Sequence, residues 1–284
     1  MNNTRPIWGD VNEASPRDCL AACLITDAER YAGLTEGMEP GAIVELVNRY
    51  FGALFGPVLD NGGVVSDVKG DGLLAVWTYQ SGGSEFKARA CKACLQMIDR
   101  VEKLNRQRPA HRLPTRLGVD FGPIALARVG AHERFEYRPV GDPVNTASRL
   151  EQLNKLLKTR VLVSDAFAQG VKGFLFRDLG SFQLRGKRSR IRVRELIGDL
   201  EACTAREHAL CREFADALAA YEAGVTVEAQ RRLQAFQARH PDDGPTRYYL
   251  QLLEPLKTEA ESARPDGWIS QLWRAAANAG RIGR

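Results

Sequence analysis

The sequence predicts an α+β fold, a sheet with helices largely on one face, followed by a small α-helical tail. Three observations predict it. Apolar runs of strand length and stretches of helical period follow one another in the order βαββα, with further strands and one more helix after them. Residues 62–77, GGVVSDVKGDGLLAVW, read as strand, tight turn, strand, because Gly70-Asp71-Gly72 is strong hairpin-turn chemistry. From about residue 199 the composition shifts to Ala, Glu, Arg and Leu with helical period.

Taken in order, residues 1–17 (MNNTRPIWGDVNEASPR) are polar with two prolines and read as an irregular arm. Residues 18–25 form the first strand, and Thr26-Asp27 closes its apolar run AACLI. Ile43, Leu46, Val47, Tyr50, Phe51, Leu54 and Phe55 share one helical face, and Asn61-Gly62-Gly63 ends that helix. Phe86, Ala90, Cys94, Met97, Ile98 and Val101 mark a second amphipathic helix over 85–104. Residues 115–120 alternate as a strand, which Phe121-Gly122-Pro123 is expected to turn into another at 124–129. Residues 133–140 read as strand, and 142–157 as a helix with Val144, Ala147, Leu150, Leu153 and Leu157 inward. A short strand at 161–163 follows, then two more within 174–197 with LRGKRSR between them.

In the tail, Phe214, Ala217, Leu218, Tyr221 and Gly224, then Ala229, Leu233 and Phe236, then His240-Pro241-Asp242 follow the pattern of a tetratricopeptide repeat. One and a half repeats are too few to stand alone, so the segment is expected to dock on the preceding domain or on a protein partner. Trp268 to Arg274 (WISQLWR) reads as a further docking helix, with a membrane-surface or partner-binding helix as the alternative. The expected division is an arm at 1–17, a domain at 18–198 and the helical tail at 199–284.

A net charge of +5 is mild. It suits a small anionic substrate and is too diffuse to argue for nucleic acid. Of the six cysteines, only Cys91-x-x-Cys94 is suggestive, and it lies in a helical pattern with no second pair, so zinc is not expected. Reduced thiols, no signal peptide and no expected run of about 18 apolar residues point to a cytoplasmic chain without a spanning helix.

Asp71 alone is a good turn residue. A second carboxylate, Asp27, closes a strand expected to lie beside the hairpin. Two such residues on adjacent strands could clamp Mg²⁺ or Mn²⁺, hard cations that prefer oxygen.

Five segments in this order, ITDAERYAGLTE, VVSDVKGDGLLAVW, RLGVDFGPIALARVG, YRPVGDPVNTASRLEQLNK and LRGKRSR, resemble the class III nucleotidyl cyclase catalytic domain over about two-thirds of the chain. The resemblance is to bacterial members with a tetratricopeptide-like C-terminal tail. It implies a ferredoxin-like βαββαβ core with extra strands, and a head-to-tail homodimer whose two sites each use both subunits. It also implies that Asp27, Asp71 and the carbonyl of Ala28 hold two Mg²⁺ or Mn²⁺ ions per site. The turn through Arg30, Tyr31 and Ala32 would bind phosphate, although the family usually has Gly-Phe-Thr there. Asn145 would orient the ribose, and Arg149, four residues on and so on the same helix face, would stabilise charge at the α-phosphate. Arg185 and Lys187 would meet the terminal phosphates.

The resemblance departs at the base-reading positions, where adenylate-forming members commonly have Lys and Thr or Asp. Here they are Asp67 and Arg138. Asp67 could accept from the adenine amino group while Arg138 donates to a ring nitrogen. The pair could equally serve guanine, or bond to each other and read no base. Lys69, two residues on from Asp67, is expected on the same face as Asp67 and Asp71 and could also contact phosphate. ATP is the substrate that family frequency favours, with GTP, a pyrimidine nucleotide or a non-catalytic nucleotide-binding role as alternatives.

Overall fold

The computed structural model describes residues 17–79, 83–131 and 134–254. Residues 1–16 of the expected arm and the segment 268–274 lie outside them. The chain runs β1 (Arg17–Ala28), α1 (Tyr31–Thr35), α2 (Pro40–Asp60), β2 (Val64–Lys69), β3 (Gly72–Thr78), α3 (Phe86–Gln107), β4 (Thr115–Ala131), β5 (Arg134–Val140) and α4 (Asp142–Leu157). It continues through β6 (Val161–Ser164), α5 (Asp165–Ala168), β7 (Phe174–Phe182), β8 (Ile191–Asp199), α6 (Ala205–Glu222), α7 (Thr226–Arg239) and α8 (Gly244–Leu253). One sheet has the order β2-β3-β1-β4-β6-β8-β7, with β5 paired to β4. The α+β fold is the expected one.

β1 is longer than its apolar run because β4 pairs with all of it, from Arg17↔Leu126 to Ala28↔Thr115. Asp27 therefore lies within the strand. The turn expected at Phe121-Gly122-Pro123 is absent: these residues continue β4 opposite Ala22, Ala21 and Leu20. β6 pairs with β4 only at Leu117–Val119, and β5 begins at Ala125. Pro123 falls between them, where that edge of β4 has no strand partner, a place where a strand tolerates proline.

Helices cover both faces of the sheet, not largely one. Ala22 and Leu24 of β1 join a core with Leu46, Tyr50 and Leu54 of α2 and Met97 of α3. Their neighbours Ala21 and Cys23 point the other way and pack with Ala147 of α4. α4 lies so close across β4 that a Cβ on Gly118 would be 2.1 Å from the Ala147 carbonyl oxygen. α2 has 21 residues and is long and apolar enough to cross a membrane by length and composition. No such segment is expected from the sequence; here the helix buries Leu46, Tyr50, Leu54 and Val58 in the protein core.

The tail helices complete a second core. Phe214, Leu233, Phe236, Tyr248 and Tyr249 pack with Leu150 and Leu157 of α4, and with Leu179, Phe182 and Val193 of the β7–β8 pair. α6 starts at a capping box formed by Thr204 and Glu207, which satisfies first-turn amides. Arg177 of β7 is 2% exposed and makes a bidentate bond to Asp243 at 2.6 and 2.8 Å. Its guanidinium lies 3.9 Å from the centre of the Phe214 ring.

Glu195 is the third member of this group, 3.6 Å from Arg177. Burial lifts its carboxyl from 4.5 to about 7; Arg177 opposes the shift and the charge of Asp243 adds to it. Across that window the folded chain keeps a proton that the unfolded chain has released, so the group's contribution to stability falls as pH rises. Denaturant titrations between about pH 5 and 8 should show Glu195→Gln with a flatter pH dependence and no loss of stability at the alkaline end. An unchanged slope would place the titration elsewhere.

Candidate active site

The hairpin and β1 bring Asp27 and Asp71 to one edge of the sheet. β2 and β3 meet through a two-residue turn, Gly70-Asp71, after the pair Lys69↔Gly72. Asp71 Oδ2 accepts from the Ala28 N–H at 3.1 Å, and Thr26 Oγ1 accepts from the Leu73 N–H at 3.1 Å, so the turn is fastened to the end of β1. Burial raises the Asp71 pKa, and the negative charge of Asp27 adds to the effect. A pair of carboxylates in which the charge of Asp27 opposes ionisation of Asp71 is an oxygen-donor set that a hard cation fits. Among the described residues no group of three or more His, Cys, Asp or Glu gathers as a metal site, here or elsewhere.

Asp27 is already engaged. Arg116, its partner across β1 and β4, bonds to it directly, and Lys155 Nζ lies 3.8 Å away. Arg116 is 6% exposed and also meets Glu29 at 3.2 Å and Glu151 at 3.0 Å. Burial disfavours its charge, but the bonds to Glu151 and Asp27 outweigh burial and raise its pKa. Ile25, Thr26, Asp27, Asp67, Lys69 and Glu151 contribute to an open cleft of about 320 Å³ beside these groups.

Asp67 and Arg138 adopt one of the three arrangements open to them: Arg138 Nη2 is 3.2 Å from Asp67 Oδ2, an ion pair. Arg30 has left-handed backbone (φ 64°) ahead of α1, and no side chain caps that helix. Ala28 is buried, Tyr31 half-buried and Ala32 exposed. Asn145 is exposed on α4. Arg149 is half-buried, its guanidinium beside Gly186 in the β7–β8 turn, where a Cβ would sit 3.4 Å from Nη2. Arg185 of that turn is exposed, whereas Lys187 is bonded to Asp142 at the start of α4. The structure thus gathers Asp27, Ala28 and Asp71 in one place, and Arg149 with the Arg185–Lys187 turn in another. Arg149 and Glu151 are two residues apart on α4, about 200° around the helix. Glu151 faces Asp27 through Arg116, so Arg149 projects from the opposite side.

A family model described as the adenylate and guanylate cyclase catalytic domain matches residues 14–196. The chain belongs to this family. Among curated relatives, adenylate cyclase 1 of Rhizobium meliloti is 31% identical over 65% of this chain and 28% of its own length. The terminal-differentiation-specific adenylate cyclase of Dictyostelium discoideum is 25% identical over 82% of this chain and 11% of its own. This cyclase-family chain thus spans under a third of either relative. Among solved structures, an adenylyl cyclase from P. aeruginosa aligns with TM-score 0.61 at 21% identity, over 67% of this chain and all of that one. A bacterial light-regulated adenylyl cyclase gives 0.57 at 25%, over 64% and 91%.

Sequence reading misses the charged network around Asp27: Arg116, Glu29, Glu151 and Lys155. The available signal is a charged residue inside the apolar strand TRLGVD, with Glu151 and Lys155 one helical turn apart. Arg116→Met should cost about 3 kcal/mol in denaturant unfolding, because it leaves the buried Glu151 carboxylate unpaired. Adding Glu151→Leu should recover part of that loss. Equal stability of Arg116→Met and the native chain would refute a structural role for the network.

Proposed function

We propose that this family member is a cytoplasmic nucleotidyl cyclase that converts ATP into 3′,5′-cyclic AMP and pyrophosphate at sites shared by two copies of the chain. The observation that carries this reading is the position of the two half-sites. Asp27 and Asp71 lie toward the Glu151 face of α4, whereas Arg149 points away from Glu151 to the β7–β8 turn, which favours a site that draws the two sets from different chains. The adenylate cyclases of Rhizobium and Dictyostelium among its relatives favour ATP. On the same reading the catalytic domain spans 18–198 and the helical tail 199–284.

The reaction forms a bond from the ribose 3′-oxygen to the α-phosphorus as the bond to the bridging oxygen of the β-phosphate breaks. The 3′-hydroxyl proton passes to solvent and pyrophosphate departs. Asp27, Asp71 and the Ala28 carbonyl would hold two Mg²⁺ or Mn²⁺ ions, which when bound supply Lewis-acid stabilisation of the 3′-oxygen and the phosphates. Asn145 of one copy orients the ribose over the carboxylates of the other. Arg149 donates to the α-phosphate oxygens, where a planar, permanently charged fork suits charge that grows in the transition state. Arg185 and Lys187 bind the terminal phosphates, and the turn through Arg30, Tyr31 and Ala32 binds phosphate at the start of α1. Asp67 accepts from the adenine amino group and Arg138 donates to a ring nitrogen, each giving up part of its bond to the other.

Turnover of ATP, GTP, CTP and UTP with Mn²⁺, read as cyclic product and pyrophosphate by mass spectrometry, tests the reading. Cyclic AMP as the main product is expected; cyclic GMP instead would reassign the base pair, and no product from a folded dimer would reject catalysis. Arg149→Ala should lower kcat by about 10²–10³-fold, and Asp71→Asn should abolish metal-dependent turnover. Mixing Asp27→Ala with Asn145→Ala chains should restore about a quarter of native activity, because each mixed dimer regains one intact site. No rescue from confirmed mixed dimers would refute the shared site.

A further inference from the structure

The two half-sites rest on different cores. Ala28, beside Asp27, and Leu73, two residues past Asp71, belong to the core that α2 and α3 build. Leu150, beside Arg149, and Leu184, beside Arg185, belong to the core that the tail helices build. Leu153, Leu156 and Leu157 extend that second contact along α4. At the end of α4 the approach is closest: a Cβ on Gly244, the first residue of α8, would lie 1.8 Å from the Leu157 carbonyl oxygen. The Arg177–Asp243 bond holds this same end of α8 to β7. Asp243 also caps α8, accepting from the Thr246 N–H at 2.9 Å. One residue group therefore fixes the start of α8 against both the sheet and the helix that carries Asn145 and Arg149.

We infer that the tail is a positioning device for the cationic half-site, with Asp243 and Gly244 as positioning residues that hold α4 and the β7–β8 turn in register. This rests on the roles proposed above for Asn145, Arg149, Arg185 and Lys187. Helices are stiff along their axis, so a displaced C-terminal end moves Arg149 with it. The metal-binding half rests mainly on the other core and is displaced less. A misplacement of about 1 Å at a reacting group is enough to cost orders of magnitude in rate. Anything that lifts α8 off α4 would then lower turnover far more than it weakens metal binding, which feels α4 through Glu151 and Arg116.

The test uses the full chain with Gly244→Ala, whose methyl forces α8 and α4 apart by about 1.5 Å before ordinary contact is regained. Asp243→Asn is the second variant, because it keeps an oxygen for the Thr246 cap but removes the charge that holds Arg177. Hydrogen exchange followed by mass spectrometry should show faster exchange in α4 and residues 184–190, with β1 and the β2–β3 hairpin unchanged. Kinetics should show kcat reduced about tenfold or more, with the Mn²⁺ concentration for half-maximal activity within about twofold of native. Gly244→Ala should be the stronger of the two. Uniformly faster exchange across both cores would mean general destabilisation, and native exchange in α4 would mean no coupling; either overturns the inference. If the native chain turns over no nucleotide, the cyclase reading fails, while exchange in α4 still decides whether the tail positions it. If Gly244→Ala does not fold, Asp243→Asn decides on the same two measurements.

Discussion

Arg116 binds carboxylates from three places in the chain: Asp27 inside β1, Glu29 just beyond it and Glu151 on α4. Burying a guanidinium is expensive unless its donors are matched, and here the planar fork is turned so that different nitrogens serve different acids. The arrangement depends on pairing made far from it. Full-length register between β1 and β4 puts Arg116 opposite Asp27, and the missing side chain at Gly118 lets α4 come close enough for Glu151 to reach. The end of β1, where the chain leaves the sheet, is thereby tied to the helix above it. A cation that binds Asp27 must share that carboxylate with Arg116. Metal binding and the packing of α4 are therefore linked through one side chain.

The same helix divides the molecule. On its Glu151 side lie the paired carboxylates, set on a core of α2, α3 and the central strands. Its Leu150 and Leu157 positions join the core of β7, β8 and the tail, and Arg149 stands beside the β7–β8 turn. Arg149 and the carboxylates are directed to different faces of the helix rather than to each other. On the proposed reading this separation is useful. It stops the catalytic cations from neutralising the metal-binding acids within one chain, and it makes assembly of a second copy a condition for turnover.

Much of this was legible in the sequence where the signal is local. The hairpin at 64–78 follows from alternation and a Gly-Asp-Gly turn, and α4 from its apolar period between Asp142 and Leu157. The features that sequence reading missed are non-local. Gly122 and Pro123 punctuate a chain when read alone, yet β1 holds them in strand register. Alternation marks which residues share a face but not which faces are covered, so docking of the tail on the domain is expected from the sequence while the coverage of the second face by α4 and the tail is not. Arg116 carries no sign of its three partners until register is known. The bond between Asp67 and Arg138 joins β2 to β5, 71 residues apart, and the sequence left it as one option among several.

That last pair shows where specificity must come from. Both groups are partly exposed, 28% and 44%, and exposed ion pairs are worth about 0–1 kcal/mol. A hydrogen bond to a charged group contributes about 1.5–3 kcal/mol, so a base edge can take both partners from each other. An acceptor beside a donor, however, matches two edges. Adenine offers its amino group then a bare ring nitrogen, whereas guanine offers a carbonyl oxygen then a ring N–H, the same two functions in reverse order. Which one fits depends on the direction in which the edge is presented. On the proposed reading Asn145 sets that direction by holding the ribose. Base selection is then divided between two places in the fold: Asp67 and Arg138 supply the functions, and the ribose contact supplies their order.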